Sequence, residues 1–357
     1  MLTEQICKIR QCHPDNLMAR HFDPAYFASL SPAQQKRLQQ IILTGIENPD
    51  SIMGAYAMHP EDYDLFQPYL DKMIRDYHNI KGELKQVSDW GSDERFDLRN
   101  IDPVLANSSM RVRVGRNLAD FPLPGAMSKK DRLAFEKRMV GVFSGLVDSP
   151  DFGGRYLSLT PDSPYQISEE QYQQLVDEHK MFKDMSADPY LSAAGISSDW
   201  PYGRGMYESA DGQLIVWVGE EDHLRIMTMK RGALLNDIFA RLRISLDAIE
   251  RQGLVFARSA TYGYVTSCPT NLGTGMRASL HLELPKLTKN GTTLEGLKQL
   301  TKTLGLSVRG AGGEHTEAGA GGLVDLSPSG RLQITEEEIC RCLYEGIVAL
   351  REIEQRS

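Results

Sequence analysis

A thiol, a turn rich in glycine and threonine, and an arginine stand together at Cys268-Pro269-Thr270-Asn271-Leu272-Gly273-Thr274-Gly275-Met276-Arg277. Two strand-like runs, 261–266 and 278–284, flank them. A thiol beside backbone N–H donors and a fixed cation suits chemistry on a charged substrate. Further arginines punctuate the chain. Arg111 and Arg113 alternate with Val112 and Val114, so both pairs keep to their own face of a strand. Arg225 heads another strand, and Arg309 precedes a glycine-rich loop. Guanidinium groups grip phosphate bidentately and hold their charge. Taken singly, each arginine reads equally well as an exposed ion-pair partner, and spacing alone does not make them converge. The acidic turn Glu220-Glu221-Asp222-His223 reads, by itself, as a solvated hairpin tip. The glycine-rich stretch 309–322 carries Glu314 and His315. Its composition rules out regular structure and suits either a surface linker or a loop that orders on a ligand.

Several chemistries are excluded. No GxxxxGK[ST] loop and no HRD or DFG triplet occurs, which removes the common kinase solutions. His179, His223, His281 and His315 show no HxxxH or HExxH spacing, so they predict no metal site. The net charge of −8, without a basic block, argues against a nucleic-acid partner. No apolar run is long enough to span a membrane, and residues 1–10 are too polar for a signal peptide. Five scattered cysteines make no disulfide framework, and Cys340 and Cys342 face different ways on a helix. These features predict a reducing, cytoplasmic setting.

The elements that must position these residues follow from caps and periodicity. Ser31-Pro32-Ala33-Gln34 opens a helix to about residue 47, and a second helix starts at Pro60 with Tyr63, Phe66, Tyr69, Leu70, Met73 and Ile74 at helical spacing. The first 85 or so residues therefore read as all-helical, with a short irregular loop at 48–58. Beyond them, Ser128 caps a helix to about 147, Ser168 another to about 182, and Thr335 the closing helix to about 354. Residues 214–218 and 224–229 are strands around the acidic turn, and 234–251 is a long amphipathic helix. At 357 residues two domains are expected, 1–85 helical and 86–357 carrying the chemistry. The hairpins favour an antiparallel sheet, hence an α+β fold.

The Cys268–Arg277 segment closely resembles the signature of the phosphagen kinases, which move the terminal phosphoryl group of ATP to a guanidino nitrogen. The resemblance extends over nearly the whole chain, including Trp217-Val218-Gly219-Glu220-Glu221-Asp222-His223, Asp177-Glu178-His179 and Trp200-Pro201-Tyr202-Gly203-Arg204-Gly205. It implies a helical N-terminal domain and a larger glutamine-synthetase-like catalytic domain. It assigns Arg111, Arg113, Arg225, Arg277 and Arg309 to the nucleotide phosphates, and His179, His281 and Asp325 to the nucleotide as well. It makes Glu221 and Glu314 the clamps on the guanidinium, Cys268 a third contact with thiolate character, and Glu220 part of a Mg2+ site through water. The chemistry suits such a set. A guanidinium is a poor nucleophile until a proton leaves, so fixed carboxylates must aim it and one must take the proton.

The loop Asn48-Pro49-Asp50-Ser51-Ile52-Met53-Gly54-Ala55-Tyr56 has the short form of the family's arginine-specific branch. Backbone N–H groups of Ser51, Ile52 and Met53, with Gly54, would hold an α-carboxylate, and Tyr56 would lie near the amino-acid end. The implied partners are ATP or ADP with Mg2+, and free L-arginine, in a monomer or homodimer. The chain also departs from that branch. Ile52 and Met53 are bulkier than usual, and Asp188-Pro189-Tyr190-Leu191 replaces an Asp-Arg pair, which leaves Asp50 without its expected cation. Another guanidine, arginine in proteins, or nucleotide binding without turnover are the competing readings.

Overall fold

The structure, a computed structural model, describes residues 2–91, 94–310 and 319–356. The N-terminal part is helical throughout: α1 (Leu2–Cys12), α2 (Leu17–His21), α3 (Pro24–Ser29), α4 (Pro32–Ile41), α5 (Leu43–Glu47), α6 (Asp62–Leu65) and α7 (Gln67–His78). Ser31 closes the predicted capping box with Gln34. Two expected helices are each broken. The first stops at Ile42, which lets Gly45 approach Gly54 so closely that a Cβ on Gly45 would lie 2.6 Å from the Gly54 carbonyl oxygen. The second starts at Asp62 and breaks at Phe66, because Pro68 in the first turn of α7 has no N–H to continue an earlier helix. The loop between α5 and α6 is thereby anchored at its base.

The larger part comprises β1 (Ser108–Arg116), α8 (Lys129–Ser144), β2 (Gly154–Ser158), α9 (Glu169–Asp177), α10 (Pro189–Ala193), β3 (Gly205–Ser209), β4 (Leu214–Val218) and β5 (Leu224–Gly232). It continues through α11 (Leu235–Glu250), β6 (Arg258–Ser259), β7 (Gly263–Tyr264), β8 (Met276–Glu283), α12 (Glu295–Thr303), β9 (Leu306–Gly310), β10 (Leu323–Pro328) and α13 (Glu336–Arg356). Eight strands form one sheet in the order β2-β3-β4-β5-β1-β8-β10-β9. Every pairing in it is antiparallel. The small helical domain and the larger domain with an antiparallel sheet and flanking helices agree with the expected α+β class.

Period-2 alternation sorts β1. Met110, Val112 and Val114 are buried in a core shared with α8, α11 and α13, and Arg111 and Arg113 point from the opposite face. Two sequence expectations fail locally. The helix capped by Ser168 ends at Asp177, and the chain turns through His179 at φ 58°. The run 261–266 is a strand only at Gly263–Tyr264, since its flanks bond elsewhere: the Tyr63 hydroxyl donates to the carbonyls of Thr266 and Ser267, and Tyr262 N–H donates to Ser259 Oγ.

Candidate active site

Sheet register brings the arginines into one array. Across β1, Arg113 pairs with Arg277 of β8 and Gly115 with Arg225 of β5. Further along, His281 of β8 pairs with Asp325 of β10, which pairs in turn with Arg309 of β9. Directly paired residues project to the same side, and so do residues two apart. Arg111, Arg113, Arg225, Arg277, Arg309, His281 and Asp325 therefore share one face. Like charges opposite one another destabilise a sheet, and here burial compounds the effect. Burial, and then Arg225, lower the Arg111 pKa to about 10. Arg113 is depressed well below the usual range by burial and by Arg225, Arg111 and Arg277. The Nε of Arg111 is buried without a hydrogen-bond partner, and its Nη2 lies 2.9 Å from the Met227 sulfur. Such an array favours any multiply charged anion that enters it.

The acidic turn is not a solvated tip. Asp222 and His223 are buried, and they tie the turn to its surroundings. Asp222 Oδ1 accepts from Asn117 Nδ2 and from Ser267 N–H, both at 2.7 Å. His223 Nδ1 accepts from Leu118 N–H at 3.0 Å, which leaves Nε2–H to donate to the Pro122 carbonyl at 2.9 Å. Asp222 thus links three segments: the end of β1, the turn, and the loop that carries Cys268. With the turn fixed, Arg225 Nη2 lies 2.8 Å from Glu220 Oε2 and 3.5 Å from Glu221 Oε2. Burial and the neighbouring Asp222 and Glu220 carboxylates raise Glu221 to about 8, against the pull of Arg225 and Arg113. Glu220 Oε2 is buried and accepts no aligned hydrogen bond, despite its close ion pair.

Cys268 is buried, with its sulfur 3.0 Å from Thr270 Oγ1. Burial and the Glu221 carboxylate push its thiol up to about 12. Both effects act against ionisation, and a cation placed against the sulfur would act the other way. Its loop rests on the helical domain. Beyond the two bonds from Tyr63, Ala57 N–H donates to the Ser267 carbonyl at 2.8 Å, and His78 Nε2 lies 3.0 Å from the Pro269 carbonyl.

These groups meet in a cleft of about 640 Å³. Of the expected site residues, Arg113, Arg225, Arg277, Arg309, Glu220, Glu221, Cys268 and Tyr56 line it. Arg111, His281 and Asp325 share the arginine face without lining the cleft. His179 lies in a separate depression beside Tyr172 and Trp200. Glu314 falls outside the described residues. The expected carboxylate nest is only partly available: Ser51 N–H donates to the Asn48 carbonyl and Gly54 N–H to Ser51 Oγ. The N–H groups of Ile52 and Met53 have no hydrogen-bond partner among the described residues. Ser51, Ile52, Met53 and Gly54 do not themselves line the cleft.

Sequence reasoning missed Arg331, Asp188, Tyr77 and Thr270, all of which line the cleft. Arg331 had a faint signal in the turn Pro328-Ser329-Gly330-Arg331, and Asp188 in an Asp-Pro helix start. Asp50, expected to lack its arginine, is met by a neutral group instead: the Tyr190 hydroxyl donates to its Oδ2 at 2.6 Å.

Residues 12–75 match the N-terminal domain of ATP:guanido phosphotransferases, and residues 134–357 match their C-terminal catalytic domain. The chain belongs to the ATP:guanido phosphotransferase family of enzymes, the phosphagen kinases. It is 37% identical to an arginine kinase of Anthopleura japonica, over 97% of this chain and 47% of that protein. It is 35% identical to arginine kinase Oct f 2 of Amphioctopus fangsiao, over 95% of this chain and 93% of that one. The duplicated taurocyamine kinase of Schistosoma mansoni, solved with bound transition-state analog components, superposes with a TM-score of 0.83 at 32% identity. That match covers 99% of this chain and 48% of the schistosome chain. The chain spans about half the length of the anemone and schistosome proteins.

Proposed function

We propose that the protein catalyses reversible transfer of the ATP γ-phosphoryl group to the guanidino nitrogen of free L-arginine, giving phosphoarginine and ADP. The observation that carries this reading is the buried arginine array meeting Glu221 and Cys268 in one cleft. In this reading Arg113, Arg225, Arg277 and Arg309 hold the phosphates, and Arg111 supports them from the same strand. Glu221, with Glu314 and Cys268, aims the guanidinium nitrogen at the γ-phosphorus. As the P–N bond forms and the P–O bond to ADP breaks, Glu221 takes the proton from that nitrogen. Burial holds Glu221 near 8, and a guanidinium placed against it favours the ionised carboxylate that takes this proton.

The donor set also fits Mg2+ carried in by the nucleotide. Glu220 Oε2, ion-paired to Arg225 but accepting no aligned hydrogen bond, suits a metal-bound water, and no group of three or more acidic, His or Cys ligands exists among the described residues to hold a cation without the phosphates. When bound with the nucleotide, Mg2+ supplies neutralising charge at the phosphate oxygens. His281 and Asp325, whose buried Oδ1 lacks a partner, are assigned to the nucleoside end, as is His179. Two domains, 1–85 and 86–357, remain our division of the chain. No described helix is long and apolar enough to cross a membrane, and a cytoplasmic protein, monomeric or dimeric, is our reading of its setting.

The test is ADP release from MgATP with L-arginine, creatine, taurocyamine, glycocyamine or a generic protein substrate offered separately. Turnover with arginine alone is the expected result. Turnover with taurocyamine instead keeps the chemistry and overturns the acceptor, and no turnover with any of them overturns both.

A further inference from the structure

Arg111 is held in the array by less than its neighbours are. Among the described residues it forms no ion pair, its Nε has no hydrogen-bond partner, and its Nη2 meets a single acceptor, the Met227 sulfur at 2.9 Å. Arg225, by contrast, is held by the Glu220 carboxylate at 2.8 Å, and Arg277 donates to Ser327 Oγ at 3.1 Å. Arg111 is also buried beside Arg225, whose charge acts against its own. A long side chain under such repulsion keeps one direction only if an acceptor holds it.

Met227 reaches it by register. Across β1 and β5, Arg113 pairs with Met227 and Arg111 with Met229, so Met227 shares the arginine face and stands diagonal to Arg111. Toward β4, Met227 pairs with Ile215, and it is buried in one cluster with Ile215, Trp217 and Met206. That packing fixes where the sulfur stands. A thioether is a weak, uncharged acceptor. A carboxylate in its place would hold the guanidinium more tightly, but it would cancel the charge and compete with phosphate for the same N–H groups.

We infer that Met227 is a positioning residue for nucleotide binding: its sulfur aims the Arg111 guanidinium within the array and leaves the positive charge uncancelled for the phosphates. This deepens the phosphotransfer reading and rests on its assignment of Arg111 to the nucleotide. The hold is neutral, so Met227 contributes to where Arg111 points and not to the field of the array. Its loss should therefore be felt by the nucleotide and not by the guanidino acceptor.

The experiment measures MgADP binding by calorimetry in the full chain, in Met227→Leu, in Arg111→Ala and in the double variant, with KM for MgATP and for the acceptor alongside. Leucine keeps the apolar packing of methionine at similar volume and removes the acceptor. We expect Met227→Leu to weaken MgADP about fivefold, the worth of one ordinary hydrogen bond. KM for MgATP should rise with it, and KM for the acceptor should stay at the parent value. In the Arg111→Ala background the same substitution should change MgADP affinity by less than about twofold, since the sulfur then has nothing to aim. Parent-like MgADP binding in Met227→Leu overturns the assignment, and so does an equal loss in both backgrounds. The kinetic split decides even where Arg111→Ala binds too weakly to measure: acceptor KM rising as much as that for MgATP overturns it as well. A parent that binds no MgADP overturns the phosphotransfer reading itself, a result distinct from these.

Discussion

Glu221 sits between two opposing pressures, cations from the arginine array and carboxylates from its own turn, and burial decides in favour of the neutral form up to about pH 8. A guanidinium placed against it reverses that balance, because a nearby cation favours the charged carboxylate. Binding should therefore expel a proton below pH 8, and arginine affinity should rise with pH until about 8 and then level off. Calorimetric titrations in buffers of different ionisation enthalpy will read the released proton directly; buffer-independent heats at pH 7 would contradict the assignment. Glu221→Gln should abolish the proton release and lower kcat by roughly 10²–10⁴. Much of this chemistry was legible from residue type: the arginines, the acidic turn and the cysteine were each visible in the sequence. Asp188 was not, because an Asp-Pro pair signals a helix start and says nothing about a place in the cleft. The Tyr190–Asp50 bond was hidden for a related reason, since an aromatic hydroxyl replaces an expected charge.

Among the elements, β1 carries the heaviest demands, with arginines on one face and core valines on the other. Its neighbours come from distant parts of the chain, β5 on one side and β8 on the other. Alternation in sequence predicts the two faces of a strand, but long-range pairing decides which strands meet, so the convergence of the arginines could not be read from spacing. Helix starts were legible because capping is local: Ser128 and Ser168 close capping boxes as expected. Helix ends were less so, as α9 stops at Asp177 without glycine or proline to mark it. At the end of β1, Gly115 leaves room for the hub of the site. A Cβ there would lie 2.5 Å from Asp222 Oδ2. Gly115→Ala should push Asp222 away from Ser267 N–H, lower stability by about 1–3 kcal/mol and reduce kcat, since the Cys268 loop loses its tie to the turn. A thermal midpoint and rate equal to those of the parent would show that Asp222 has room to yield.

For the molecule as a whole, the same turn makes stability depend on acid. Burial lowers the His223 pKa to about 4 from an ordinary value of 6.5. The unfolded chain binds this proton first as pH falls, so the contribution is complete above pH 6.5 and is lost progressively toward pH 4. Between pH 7 and 5 it amounts to about 2 kcal/mol. Denaturant titrations at the two pH values should show this loss in the parent and a smaller one in His223→Gln; identical pH dependence would rule His223 out as the cause. His223 stacks on Phe135 at 4.7 Å between ring centres, which places its proton uptake inside the catalytic domain's own core.

The packing of the Cys268 loop on the helical domain bears on how such proteins can change acceptor over evolutionary time. Leu272, Val265, Tyr262 and Leu332 are buried in one hydrophobic cluster with Ile6, Met18, Phe66 and Met73. The Asp71 carboxylate accepts from the Tyr262 hydroxyl, and Asp64 accepts from Ser259. On the proposed reading, the half that reads the acceptor and the half that carries the thiol are thus grafted onto a common rootstock. Exchanging the first 80 or so residues with those of a relative would transplant a new acceptor loop together with a foreign backing for the thiol. Lineages that drift in acceptor preference must then co-adapt both sides of this seam, and hybrids that ignore it should lose turnover before they lose the ability to bind nucleotide.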